Sequence, residues 1–209
     1  KVAHEIKNPL MPIVMNAELI ERNLKSNMSE RDIERVKSST NIIIKNANSI
    51  STLVKSFSEF SFAIKISDEK ESINSVILEV VDSFKNIPNI KFEVSLTKHD
   101  YFINMDRDKL IMAFRNLIKN SIEAMENNNG NSIIYISSYH DISDGKEFFT
   151  ISITDTGVGI ETKNIKKIFE PYFTSKSKGT GIGLATVEKI IMEHKGHILV
   201  ESIVGEGST

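Results

Sequence analysis

From Ala3 onward the apolar residues fall at Ala3, Ile6, Leu10, Ile13, Ala17, Ile20 and Leu24. Alternating steps of three and four place them on one stripe of a helix, as in a coiled-coil seam. Asn27-Met28-Ser29 interrupts the pattern. Ser29 suits the N-cap of a second helix, with Asp32 in its first turn. A second seam then runs through Ile33, Val36, Thr40, Ile43, Ala47, Ile50, Val54 and Phe57. Two long amphipathic helices and a short loop give an antiparallel hairpin. A lone hairpin covers only one stripe. A second copy closing a four-helix bundle covers both, and so would a bundle partner from earlier in the same chain.

The seam stops near Ala63 to Lys70, where a polar stretch marks the expected boundary between a hairpin over 1–64 and a second domain over 65–209. There Ile73 to Asn86 reads as a helix, and Lys91 to Leu96 and Tyr101 to Met105 as strands. Asp106 is placed to cap a helix from Arg107 to about Asn127. Asn128 to Asn131 is a turn. Ser132 to His140 and Glu147 to Thr154 read as a strand pair around Ser143-Asp144-Gly145. Ile182 to His194 is helical, Gly196 ends it, and His197 to Ser202 reads as a strand. The expected class is α+β: a helical hairpin followed by an α/β sandwich with helices on one face of a mixed sheet. The chain opens inside a helix and closes on Gly205 to Thr209, a turn with no strand after it, and so reads as part of a longer protein.

Twenty-six Lys and Arg stand against 28 Asp and Glu, a net charge of −2. No global basic field is available for nucleic acid. The absence of cysteine excludes disulfides and thiolate metal sites without fixing the compartment. No apolar run approaches the roughly 20 residues that span a bilayer, and no signal peptide is visible.

Several residues carry possible chemistry. His4 lies just off the first seam, where it is either an ordinary surface histidine or a reactive one. Glu5 adjoins it, and Asn8, four residues on, shares its helix face. Pro9 and Pro12 deprive the carbonyls of Glu5 and Asn8 of helical partners. Either the helix bends at a site here, or it begins at Pro9 with His4 in a preceding loop. Asn116 and Asn120 also share a face, either as a solvated surface or as oxygen ligands for a hard cation such as Mg²⁺. Lys119 beside them offers charge to a phosphate.

Asp155 follows a strand and precedes Gly157 and Gly159. Its carboxylate either caps the turn or accepts from an exocyclic amine such as that of adenine, while the glycines let backbone approach a flat ring. Gly179, Gly181 and Gly183 open a later helix, whose N-terminal amides favour phosphate. The trio is not a P-loop, because no Gly-Lys-Ser/Thr ends it, nor a dinucleotide fingerprint, because no strand leads directly into it. Between the clusters Lys163, Lys166, Lys167, Lys176 and Lys178 interleave with Phe169, Tyr172 and Phe173, as a solvated face or as a lid over a polyphosphate.

Taken together, the blocks Ala3-His4-Glu5-Ile6-Lys7-Asn8-Pro9-Leu10, Asn116 to Asn120, Asp155 to Ile160, Phe169 to Lys176 and Gly179 to Ala185 resemble the sensor histidine kinases of two-component systems. The resemblance covers nearly the whole chain. It is strongest to nitrogen-regulation sensors of the NtrY and NtrB type, through the first block, Glu170 to Lys176, and Glu193 to His197. It implies a dimerisation and phosphoacceptor hairpin, half of a dimeric four-helix bundle, and an ATP-binding domain of the gyrase, Hsp90, histidine kinase and MutL (GHKL, Bergerat) type.

The implied activity is autophosphorylation from ATP and Mg²⁺, then transfer to the receiver domain of a response regulator, with regulator phosphatase activity. His4 is then the phosphoacceptor, Glu5 its acid/base partner and Asn8 the phosphatase residue. Asn120 is the metal ligand. Asn116 stands where ATP-hydrolysing relatives carry a glutamate base. Asp155 reads adenine beside Gly157, Gly159 and Ile160. Phe169 and Phe173 anchor the lid, and Lys119, Thr174 and Lys176 approach the phosphates. Gly179, Thr180, Gly181, Gly183 and Leu184 take the phosphate side. The resemblance also implies the cytoplasmic portion of a membrane-anchored sensor, itself soluble and meeting a membrane only through an upstream region. Two rival classes are another ATPase of the same superfamily, and a scaffold that binds nucleotide without transferring phosphate.

Overall fold

The computed structural model describes residues 2–23, 29–61, 67, 69–99, 101–126, 132–143, 146–176 and 179–209. The chain divides into two compact units, Lys1–Phe62 and Ala63–Thr209. The expected boundary between residues 64 and 65 falls within 62–66, outside the described residues.

The first unit is a pair of packed helices, α1 (Val2–Asn23) and α2 (Glu30–Ser61). Helix α1 runs continuously through Pro9 and Pro12 rather than starting at Pro9. Asn16 Nδ2 donates to the carbonyl of Pro12 at 2.8 Å, a side-chain bond one turn on. Helix α2 is capped as its sequence requires. The N–H of Asp32 donates to Ser29 Oγ at 3.2 Å, and the N–H of Ser29 donates back to the Asp32 carboxylate at 3.1 Å. This is the reciprocal arrangement of a capping box. Ile6, Ile13 and Ile20, seven apart, are half-buried, as are Val36, Ile43 and Ile50. Among the described seam residues Leu10, Ala17, Ile33, Thr40, Ala47 and Val54 stay exposed, beside Met11, Val14, Met15 and Leu19.

The second unit begins with β1 (Glu69–Ser72), α3 (Ile73–Phe84), β2 (Ile90–Ser95), β3 (Phe102–Met105) and α4 (Arg107–Ala124). It continues through β4 (Ser132–Ser143), β5 (Lys146–Asp155), the short α5 (Thr162–Ile165), α6 (Gly183–Glu193), β6 (Ser202–Ile203) and β7 (Gly207–Ser208). Five strands form a sheet in the order β2-β4-β5-β7-β6, parallel between β2 and β4 and antiparallel elsewhere. Strands β1 and β3 pair antiparallel as a separate ribbon.

Alternation along β4 sends Ile134 and Ile136 inward and leaves Tyr135 and Tyr139 exposed. The inward face meets α3 through Val76 and Val80, α4 through Leu110, Phe114 and Ile118, and α6 through Val187 and Ile190. The helices therefore cover one side of a mixed sheet, as expected.

Three details differ from the expectation. Strand β1 lies in the stretch read as polar linker. The strand expected over His197 to Ser202 shrinks to Ser202–Ile203; Ile198 still packs against the core, while Leu199 is 87% exposed. Within the stretch read as a closing turn, Gly207–Ser208 forms β7, which lies between β5 and β6 in the sheet. The turns expected at Asn128 to Asn131 and at Asp144-Gly145 lie outside the described residues.

Candidate nucleotide site

Helix α4 supplies one wall. Asp106 caps it, accepting from the N–H of Lys109 at 3.1 Å. Leu110, Ala113, Phe114 and Ile118 turn to the core. Asn116, Asn120 and Glu123, at steps of four and three, share one face of the helix. Asn116 and Asn120 are half-exposed.

Strand β5 delivers the second wall, ending at Asp155, which is 7% exposed. Burial raises the pKa of this carboxyl. Opposing that rise are hydrogen bonds from the Gly157 N–H, the Ser121 hydroxyl and the Ser208 N–H, together with the charge of Lys176. The Gly157 N–H donates to Asp155 Oδ1 at 2.9 Å. The turn-capping reading of Asp155 is what this bond shows, and the carboxylate that makes it is a desolvated acceptor.

The glycines after it are held by close packing. A Cβ on Gly157 would lie 2.8 Å from Ala124 Cβ and 3.1 Å from the Ala124 carbonyl carbon. The adjacent Val158 N–H donates to the Ala124 carbonyl at 3.2 Å, fastening the loop to the end of α4. Gly159 has φ +71°, and a Cβ there would strike the Ile203 carbonyl. Ile160 donates its N–H to Ser202 Oγ at 2.8 Å.

The aromatic loop is tied to the second glycine cluster. The Tyr172 N–H donates to the Gly181 carbonyl at 2.7 Å, with Tyr172 itself at φ 68°, a conformation bulky residues seldom adopt. Phe169 and Phe173 are half-buried and Ile168 is buried. Thr174 Oγ1 accepts from the N–H of Lys176 at 3.1 Å and crowds Gly179. Thr180 and Leu184 are half-buried. Helix α6 starts at Gly183 without a side-chain cap. A Cβ at Gly183 would stand 3.4 Å from Asn116 Oδ1, so this helix start faces the amide of α4. Backbone amides at such a terminus favour an anion.

Lys176 closes the arrangement. Its Nζ lies 2.8 Å from Glu123 Oε2 and 3.4 Å from the Asn120 carbonyl. Lys119 is 3.8 Å from Glu123 Oε1. The structure therefore brings Asn116, Lys119, Asn120, Asp155, Gly157, Thr174, Lys176 and Gly183 around one locality. Lys163, Lys166 and Lys167 point to solvent, and Lys178 is outside the described residues. Sequence reasoning missed Ser121 and Glu123. Spacing could have raised Glu123, seven residues beyond Asn116. On the hairpin, Asn8 is exposed, and the side chains of His4 and Glu5 lie outside the described residues.

A buried carboxylate beside a glycine turn offers an acceptor, and an amide-bearing helix face lies by an uncapped helix start that favours an anion. Residues 105–209 match the family described as histidine kinase-, DNA gyrase B-, and HSP90-like ATPase, and residues 1–63 match the His Kinase A (phospho-acceptor) domain. The chain belongs to the two-component sensor histidine kinases. Among curated relatives, the chain is 32% identical to nitrogen regulation protein NtrY of Azorhizobium caulinodans, over 95% of this chain and 26% of that one. It is 30% identical to the signal transduction histidine-protein kinase AtoS of Escherichia coli, over 100% of this chain and 33% of that one. It thus spans about a quarter to a third of such relatives.

Among solved structures, histidine kinase ThkA in complex with response regulator protein TrrA matches with a TM-score of 0.71 at 27% identity, covering 99% of this chain and 57% of that chain. The isolated ThkA catalytic domain matches at 0.58 and 30% identity, over 68% of this chain and 91% of that chain. Among the described residues no helix is long and apolar enough to cross a membrane.

Proposed function

We propose that this chain transfers the γ-phosphoryl group of ATP to His4 and passes it to an aspartate on a response-regulator receiver domain. The observation that carries the reading is the buried Asp155 carboxylate. It accepts from the Gly157 N–H and from Ser121 of α4, in a chain whose first residues match a phosphoacceptor domain. Asp155 accepts from the adenine amine. Gly157 and Gly159 let the ring lie against backbone, with Ile160 beside them. Phe169 and Phe173 hold the loop that carries Thr174 and Lys176 to the phosphates. Gly179, Thr180, Gly181, Gly183 and Leu184 form the phosphate end against the start of α6.

Asn120, with Asn116 beside it, would hold Mg²⁺. That ion supplies positive charge to neutralise the triphosphate. Both amide oxygens sit on a half-exposed helix face and suit a hard cation that retains water. A neutral imidazole nitrogen of His4 attacks the γ-phosphorus. The bond to the bridging oxygen breaks, ADP leaves, and Glu5 takes the imidazole proton. Positioning and charge neutralisation do most of the catalytic work. Histidine suits the role because its neutral form is well populated near pH 7. Asn8, four residues along the helix from His4, positions the water that hydrolyses the phosphoryl group from the response-regulator aspartate.

A second copy covers the exposed half of each seam on α1 and α2, which supports a homodimer. The complex of ThkA with TrrA supports a receiver-domain partner. We place the core on the cytoplasmic side of a membrane-anchored sensor. The reading is tested with [γ-³²P]ATP and Mg²⁺. Wild type acquires label that is acid-labile and base-stable, and His4→Gln binds ATP but stays unlabelled. Label on His4→Gln, or ATP hydrolysis with no labelled protein, rejects it.

A further inference from the structure

We infer that Glu123 is a counter-charge for the phosphate end of the site: it holds Lys176 while the site is empty and gives it up to the polyphosphate. The inference rests on the nucleotide reading above. Glu123 lies three residues beyond Asn120 on the same face of α4. Its two oxygens meet two cations, Lys176 at 2.8 Å and Lys119 at 3.8 Å. Lys176 reaches it from the aromatic loop, 53 residues away in sequence. The same ammonium donates to the Asn120 backbone carbonyl at 3.4 Å, and its charge works against the raised pKa of Asp155. Lys176 therefore reaches the backbone of α4 and adds positive charge on the side of Asp155.

The chemistry follows from the charges. Two lysines and one glutamate leave this spot with a net charge of +1 while nucleotide is absent. A polyphosphate brings several negative charges to the same ammonium groups. It competes with the Glu123 carboxylate for Lys176 and is repelled by that carboxylate across a short distance. The pair is also breakable. The side chains of Lys176 and Glu123 are 40% and 30% exposed, so water and salt screen their attraction. A partly exposed ion pair at this position restrains the lysine without locking it. Glu123 is thus a positioning residue, acting through Lys176, that weakens the grip on phosphate and so favours release of the product nucleotide.

The test is equilibrium titration of the full chain with Mg²⁺-ATP, Mg²⁺-ADP and adenosine. The proteins are wild type, Glu123→Gln, Lys176→Gln and the double variant. Glu123→Gln is expected to bind ATP and ADP roughly two- to tenfold more tightly, the range for relief of a partly screened ion pair. Adenosine affinity stays unchanged, because it carries no phosphate. ADP dissociates more slowly from Glu123→Gln in stopped flow. The gain disappears in the Lys176→Gln background, which shows that it acts through that lysine. Unchanged or weaker ATP binding by Glu123→Gln overturns the inference, as does an equal gain for adenosine or a gain that persists without Lys176. Failure of wild type to bind any of the three ligands sinks the nucleotide reading instead, so the two failures are distinguishable.

Discussion

The backbone N–H of Gly157 donates to Asp155 Oδ1 at 2.9 Å, and a Cβ at Gly157 would sit 2.7 Å from that same oxygen. The carboxylate and the glycine are one device. The turn can bring its amide to the acid only because no side chain stands between them. Ala124 blocks the same space from the other side. Gly157→Ala must therefore displace Asp155, α4 or the loop. Overpacking of this kind costs about 1–3 kcal/mol. Nucleotide affinity should fall by about tenfold or more, since each 1.4 kcal/mol is a factor of ten. Thermal unfolding together with ADP titration checks it. A variant with wild-type affinity would mean that this loop does not line the site.

Burial raises the Asp155 pKa above its ordinary 3.8. The folded protein then holds this proton more tightly than the unfolded chain does. Stability linked to the group is greatest below 3.8 and is lost as pH rises through the raised value. Asp155→Asn removes that titration. Its stability relative to wild type should climb with pH through this window and then level off, whatever the constant offset between the two proteins. Nucleotide binding should be lost in the variant. Urea unfolding of both proteins without nucleotide, from about pH 3.5 to 7.5, reads the difference across the carboxylate range. A flat difference would mean the carboxylate ionises in the folded state without penalty.

His194 joins two helices. Its Nε2 accepts from the N–H of Asp106 at 3.0 Å, while Nδ1–H donates to the Ile190 carbonyl at 2.7 Å. These partners fix the neutral tautomer. Asp106 also caps α4 and accepts from the Ser67 N–H at 3.2 Å. His194→Ala leaves the buried Asp106 N–H without an acceptor, which costs about 1–3 kcal/mol. The catalytic half should unfold at lower denaturant concentration while ADP affinity, measured well below the transition, changes little. A midpoint equal to wild type would show that water replaces the imidazole at no cost.

Helix α4 was legible because its cap, its apolar stripe and its two amides all repeat at helical spacing. Asp155 was legible because a carboxylate between a strand and two glycines has few roles. Strand β1 was not. Glu69-Lys70-Glu71-Ser72 carries no apolar residue, and it is a strand because β3 pairs with it from Phe102 to Met105. The stretch His197 to Ser202 misled in the opposite direction: Ile198 packs against the core, but the strand is limited to Ser202–Ile203, where β7 pairs with it. Spacing could put Glu123 on the amide face of α4, but it could not show its partner. A glutamate on an amphipathic helix is an ordinary solvated residue until a lysine from a distant loop arrives beside it. Contacts made across long sequence separations leave no periodic trace.

Asn8 offers the sharpest separation of two activities on one helix. It is exposed on α1, and Pro12 leaves its carbonyl without a helical N–H. Alanine is a better helix former than asparagine by a few tenths of a kcal/mol or more, so Asn8→Ala should keep α1 intact. Loss of the amide removes a group proposed to hold water, whereas attack of the imidazole on ATP needs no such water. The ratio of response-regulator dephosphorylation to autophosphorylation should fall by about tenfold or more, the lower end of what a positioned group contributes. Both rates can be followed in one preparation, with labelled ATP for the first step and a purified phosphorylated receiver domain for the second. An unaltered ratio removes Asn8 from the phosphatase assignment while leaving His4 and the nucleotide site untouched.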